Sequence, residues 1–182
     1  MINKVYFGST NLSKLNEARD ILKLDIEQIE LQVDEIQSLN PIEVASKKAW
    51  SYYEKFKEPL FVDDNSLVFN ALNKLPGPYI GDFSKALNNK GLINLLSDTS
   101  NKNAKSEVVI AYIDQHSLLH IFSGSIDGVI TSEPRGKNGF GWDAIFIPDG
   151  YTTTFAEMTN EEKNRISSRR LALDNFKQFL FS

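Results

Sequence analysis

A strand, a tight polar loop and an amphipathic helix follow one another within the first 22 residues, and this order restricts the chain to folds that combine helices with a sheet. Val5-Tyr6-Phe7 is a short β-prone run that ends at Gly8. Behind it, Leu15, Ala18, Ile21 and Leu22 recur on one helical face, with Asn11 or Ser13 as the candidate cap. The loop between them reads Gly8-Ser-Thr-Asn-Leu-Ser-Lys-Leu15. It approaches the phosphate-binding pattern G-x-x-x-x-G-K-[ST], with Gly8 and Lys14 at the right spacing. Ser13 stands at the second glycine, however, and Leu15 replaces the metal-binding hydroxyl. Two readings stay open. The loop is a capped helix start with a surface lysine, or it is an anion site where backbone N–H groups, the helix dipole, Ser9, Thr10, Asn11 and Lys14 converge.

The remaining segments extend the same alternation. A second helix is expected from Pro41 to about Phe56, with Val44, Ala45, Ala49 and Tyr52 buried. Leu60-Phe61-Val62 reads as a short strand ending in Asp63-Asp64, and Leu75-Pro-Gly-Pro-Tyr79 as a rigid turn. Ala86 to Leu96 is expected to be helical despite Gly91, and Asp98 to Ser106 a surface loop. Val108–Ile113 and Leu118–Phe122 form a hairpin signal around Asp114-Gln-His-Ser117. Ser125–Thr131 reads as a third strand, Pro134–Gly141 as a loop and Ala144–Ile147 as a further strand. One long helix is expected from Glu161 to about Phe181, burying Ile166, Leu171, Leu173, Phe176 and Leu180. The sum is an α/β or α+β chain with a mixed sheet. No linker divides it, so residues 1–182 are read as one unit.

Composition narrows the chemistry. There is no cysteine, which excludes disulfides and thiolate metal sites, and only His116 and His120 supply imidazole. The formal net charge of −4 argues against non-specific binding along nucleic acid. No apolar run approaches the roughly 18 residues of a membrane span. Met1-Ile-Asn-Lys4 leads straight into the first strand, so no leader is expected and the default location is cytoplasmic.

Three further features carry chemistry. Asp63 and Asp64 suit a magnesium ion, which prefers oxygen ligands, although neighbours on a strand point to opposite sides. Alone they are equally a solvated turn, and Glu35 is either a third ligand or a surface charge. Asn138-Gly-Phe-Gly-Trp-Asp143 sets two aromatic rings among glycines. The rings stack on a flat base, or they plug the core under a loop. Glu162-Lys-Asn-Arg-Ile-Ser-Ser-Arg-Arg170 is a basic helical stretch that faces either phosphates or solvent.

Taken together, these pieces resemble the inosine triphosphate pyrophosphatase family over about Val5 to Leu173. The most specific block is Phe140-Gly-Trp-Asp143, continuing through Phe146, Pro148-Asp-Gly-Tyr151, Thr154-Phe-Ala-Glu157 and Glu162-Lys-Asn164 to Ser167. Phe69-Asn-Ala-Leu72, Leu75-Pro-Gly-Pro-Tyr79 and Pro134-Arg-Gly136 add to it. The resemblance implies a two-lobed α/β fold around a long mixed sheet, with a nucleotide cleft between the lobes, and commonly a homodimer. It implies Mg²⁺-dependent hydrolysis of deaminated purine triphosphates (ITP, dITP, XTP) to the monophosphate and pyrophosphate.

By the same resemblance, Ser9, Thr10, Asn11, Lys14, Lys48 and Lys163 contact phosphate. Glu35 and Asp64 hold the metal, and Asp64 is also the general base. Phe140, Gly141, Trp142 and Asp143 form the base loop, with Ser167, Ser168 and Arg169 reading the base edge. Asn65 stands beside Asp64 where the family usually carries a serine or threonine. Ser168 replaces the family histidine, Asp63 a more usual glutamate, and Ala144 a common proline.

Overall fold

The computed structural model describes residues 4–182; residues 1–3, on which the expectation of no leader partly rests, lie outside it. Among the described residues, β1 (Lys4–Gly8), β2 (Asp25–Ile29), β3 (Leu60–Phe69), β4 (Pro76–Gly77), β5 (Asn103–Ile113), β6 (Leu119–Ile130) and β7 (Phe146–Pro148) share one mixed sheet. Its order is β2-β1-β3-β5-β6-β7, with β4 paired to the far end of β3. β1 runs parallel to β2 and β3, and the other pairings are antiparallel. The helices are α1 (Leu12–Leu22), α2 (Pro41–Phe56), α3 (Ile80–Asn94), α4 (Asn160–Ile166) and α5 (Ser168–Leu180).

The first two helices follow their local signals. Asn11, not the exposed Ser13, caps α1 by accepting from Lys14 N, and Leu15, Ala18, Ile21 and Leu22 are buried. Asn40 caps α2 ahead of Pro41, and its buried stripe is Val44, Ala45, Ala49 and Tyr52, as expected.

Three long strands carry a core at each end, the first of them split between the two faces of the sheet. Near one end, α1 and α5 cover Val5, Phe7, Phe61, Val108 and Ile110, while α2 covers Leu60, Val62, Val109 and Ala111 on the opposite face. At the other end, Leu67, Phe69, Ala104 and Ile130 join α3, Phe146 and Phe155 in a separate cluster. Burying a large side chain of this kind stabilises the fold by roughly 1.5–3 kcal/mol. Between the clusters, the β1 pairing with β3 covers Phe7↔Phe61, and β4 joins at Leu67. The stretch of β3 from Asp63 to Ser66 therefore borders an opening in the sheet.

Several expectations fail for identifiable reasons. β3 does not stop at Asp63 but continues to Phe69: Lys14 and Arg169 hold Asp63, which would otherwise help end a strand. Leu119–Ile130 is one strand rather than two. Gly124 marks a close approach: a Cβ there would lie 2.4 Å from Ser168 O and 2.5 Å from Ala172 N of α5. β5 begins at Asn103, inside the expected loop, and α3 starts six residues before Ala86 and kinks at Asn88 (φ 52°, ψ −177°). The strand expected at Ala144–Ile147 is shifted to Phe146–Pro148, after a 3-10 turn at Asp143–Ile145. The long final helix is broken at Ser167, whose extended backbone (φ −66°, ψ 155°) ends α4 and caps α5 by accepting from Arg170 N. That break turns Leu171 outward, 41% exposed, while Leu173, Phe176 and Leu180 stay buried.

Candidate active site

The opening beside β3 is the mouth of a cleft of about 720 Å³. Except for Asp63, the residues singled out from the sequence as site candidates line it: Ser9, Thr10, Asn11, Lys14, Glu35, Lys48, Asp64, Asn65, Phe140–Asp143, Lys163 and Ser167–Arg169. They arrive from the β1–α1 loop, the segment before α2, α2 itself, β3, the loop before β7, and the α4–α5 joint.

Asp63 lies behind this wall. Its Oδ1 accepts from Lys14 Nζ at 2.9 Å, and its Oδ2 accepts from Arg169 Nη2 at 2.8 Å and Nε at 3.1 Å. Burial opposes its charge, yet Lys14 and Arg169 outweigh burial and hold the carboxyl well below the usual carboxylate range. Asp63 is thus a fixed anion that positions two cations.

Asp64, one residue on, points to the other face of β3. Its Oδ2 is buried and has no hydrogen-bond partner. Burial, reinforced by Asp63 and Glu35 against the pull of Lys14 and Lys48, pushes the Asp64 carboxyl up to about 7. Glu35 accepts from Lys48 Nζ at 2.6 Å, and its side chain is half-exposed. Burial resists its ionisation, but Lys48 prevails and lowers its pKa. Among the described residues, no three His, Asp or Glu side chains converge on one point. The unpartnered oxygen of Asp64, with Glu35 close enough to affect its charge, nevertheless fits a hard divalent cation. Magnesium commonly takes one or two carboxylates and fills its remaining positions with water and phosphate oxygens.

The aromatic loop divides its two rings between the two readings left open by the sequence. Trp142 packs edge-on against Phe146 at 5.6 Å and beside Phe155, so it plugs the second core from the cleft wall. Phe140 stays at the site, with Lys163 Nζ 4.7 Å and Arg169 Cζ 5.9 Å from its ring centroid. Asp143 is a clasp: its Oδ2 accepts from Phe140 N at 2.8 Å and Lys163 Nζ at 2.6 Å. Gly139, at φ +70°, passes so close to Asp143 that a Cβ would sit 2.2 Å from Oδ2. This glycine serves the clasp rather than an approaching ligand.

Glu17 escapes sequence inspection. It accepts from Lys163 Nζ at 2.7 Å and also binds Arg169, joining α1 to α4 and α5. Burial pushes its carboxyl up, but Arg169 and Lys163 overcome this and lower it. The available signal was its position three residues after Lys14, beside Ala18 and Ile21 on the buried stripe. Asn65 Oδ1 accepts from Arg169 Nη2 at 2.9 Å. Ser168 Oγ and Ser106 Oγ form a buried pair at 2.7 Å, each able to donate. The basic residues do not share a single helical face, because Arg170 turns away to Asp174.

Comparison with known proteins gives a consistent picture. The sequence profile of the Ham1 family matches residues 5–179. The chain is 42% identical to the dITP/XTP pyrophosphatase of Thermococcus kodakarensis, over 97% of both chains. It is 35% identical to the inosine triphosphate pyrophosphatase of Schizosaccharomyces pombe, over 100% of this chain and 97% of that protein. Among solved structures, a HAM1 protein from Coxiella burnetii superposes with a TM-score of 0.86 at 31% identity, over 98% of both chains.

Proposed function

The chain belongs to the Ham1 family, and from that membership we propose that it hydrolyses the deaminated purine nucleotides ITP, dITP and XTP to the monophosphate and pyrophosphate, cleansing the nucleotide pool. The observation that carries this reading is the meeting, in one cleft, of an unpartnered buried carboxylate, phosphate-facing donors and an aromatic ring.

The β1–α1 loop offers Thr10 and Asn11 together with the α1 N-terminus, and Lys14 adds a positive charge beside it. Asp64 Oδ2, buried and unpartnered, accepts a proton from the water that attacks the α-phosphorus. Lys14, Lys48 and Lys163 hold charge that develops on the departing pyrophosphate. Asp64 and Glu35 would hold the divalent cation, Mg²⁺, which when bound supplies further neutralisation of phosphate oxygens. Phe140 stacks on the purine. An edge that offers donors accepts a 6-oxo group and leaves adenine's amino group unpaired, a mismatch that discriminates by roughly 10⁴–10⁵ in favourable sites.

The test is a panel of ITP, dITP, XTP, ATP and GTP incubated with Mg²⁺, with pyrophosphate release measured. Silence across the panel overturns the enzyme, and equal rates overturn the selectivity. A second reading, a shifted modified-nucleotide substrate, is favoured by the Ser106–Ser168 pair, whose hydroxyls can donate or accept. On that reading Ser168→His narrows the preference toward ITP, and an unchanged profile removes the idea. The homodimer and a cytoplasmic setting belong to the same proposal. Light scattering at micromolar protein tests the first, and a monomer would count against it. Among the described residues, no helix is long and apolar enough to cross a membrane.

A further inference from the structure

The charges of the cleft raise a question that the residues named so far leave open. Lys14, Lys48, Lys163 and Arg169 are each met by a carboxylate within 3 Å: Asp63, Glu35, Glu17 with Asp143, and Asp63 with Glu17. With Asp64 ionised, five carboxylates oppose these four cations. A triphosphate carries several negative charges, and the cations already at the site are committed to the protein's own anions. Among the described residues that line the cleft, one further cation is not held this way. Lys85 on α3 has its nearest carboxylate, Asp82, at 3.8 Å, and both side chains are strongly exposed.

Lys85 stands exposed at the rim of the cleft, on the turn that follows Gly81. Side chains on an α-helix lean toward its N-terminus and cover the turn before their own Cα. The turn before Lys85 is Gly81, which also lines the cleft, and a Cβ built there meets no atom within 4 Å. A glycine one turn back leaves the space that the lysine stem needs. In the same turn, Ser84 Oγ is buried with no hydrogen-bond partner. This α3 wall stands on the second core, whereas Lys14 and Lys48 stand on the first.

We propose that Lys85, reaching over Gly81, binds the polyphosphate tail of the substrate from the α3 wall, completing the charge balance that Lys14 and Lys48 leave short. This inference rests on the hydrolase reading above but has its own readout. Inorganic tripolyphosphate and pyrophosphate serve as probes of the tail, and inosine monophosphate as a probe of the base end, each measured by calorimetry on the full chain. Lys85→Ala is expected to weaken tripolyphosphate and pyrophosphate binding about tenfold, a hydrogen bond to a charged group being worth roughly that, and to leave monophosphate binding within twofold. Lys85→Arg restores the tail affinity. In turnover, Lys85→Ala raises KM for ITP with kcat changed little, the pattern of lost uniform binding. Unchanged tripolyphosphate affinity overturns the proposal, and so does equal weakening of monophosphate binding. If no deaminated nucleotide is hydrolysed but tripolyphosphate affinity still falls in Lys85→Ala, the hydrolase reading fails while the anion site stands.

Discussion

On one side of β3, Asp63 is gripped by Lys14 and Arg169, and its charge is secure; on the other side, one residue later, Asp64 is buried with a free oxygen and its carboxyl is pushed up to about 7. The two side chains are chemically identical and share a strand. Partners rather than burial separate them, since both are almost wholly shielded from solvent. The first is structural: it fixes the cations that hold α1 and α5 to the sheet. The second keeps an unpartnered oxygen in a buried setting that disfavours its charge, at a cost to the fold.

This contrast can be broken in four ways. Asp64→Asn should reduce pyrophosphate release by 10²–10⁴-fold or more, the usual contribution of a positioned base, with nucleotide binding retained; normal turnover would remove Asp64 from the chemistry. Asp63→Asn should destabilise the fold by about 3–5 kcal/mol in urea unfolding, because it leaves Arg169 and Lys14 buried without their anion; a loss below 1 kcal/mol would show that Glu17 alone suffices.

The third test uses pH. A raised folded pKa stabilises the protein below the unfolded value and loses that contribution as pH climbs through the folded value, so Asp64 should weaken the metal-free protein between about pH 4 and 7. The Asp64→Asn variant lacks this slope and should gain on wild type by about 2–4 kcal/mol across the window, read as a growing difference in Tm in the presence of chelator. Asp63 has the opposite sign: its lowered pKa adds stability above the ordinary carboxylate range, and that stability is lost on acidification. Equal slopes in the two proteins would dissolve the distinction. The smallest effect is expected at Glu17, which touches the gripped side only. Glu17→Gln should lower kcat/KM for ITP by about tenfold through looser Lys163 and Arg169, and an unchanged value would make its contacts dispensable.

The sequence made one side of this picture easier to read than the other. α2 was legible to the residue because Asn40, Pro41 and a clean apolar stripe all agree. Most of the site candidates stood out as polar or aromatic residues in or beside the loops, whereas Lys48, Asp64 and Asn65 lie inside α2 and β3. The strand through Asp63 and Asp64 was not, since two aspartates argue against a strand until the distant Arg169 is placed beside the first of them. Gly124 misled in the same way: its reason lies in α5, more than forty residues on. Glu17 was hidden by its ordinary setting, a carboxylate on a helix whose partners come from the far end of the chain. Local pattern reports local causes, and these three residues answer to tertiary ones.

The joint at Ser167 has a consequence of its own. With one residue ending α4 and starting α5, Lys163 and Arg169 are mounted on separate short rods instead of one long one. α5 carries Arg169 to Asp63 and Glu17, whereas α4 carries Lys163 to Glu17 and Asp143. The extended Ser167 therefore sits between two cations that share the Glu17 carboxylate, and Ser168 is the first residue beyond it.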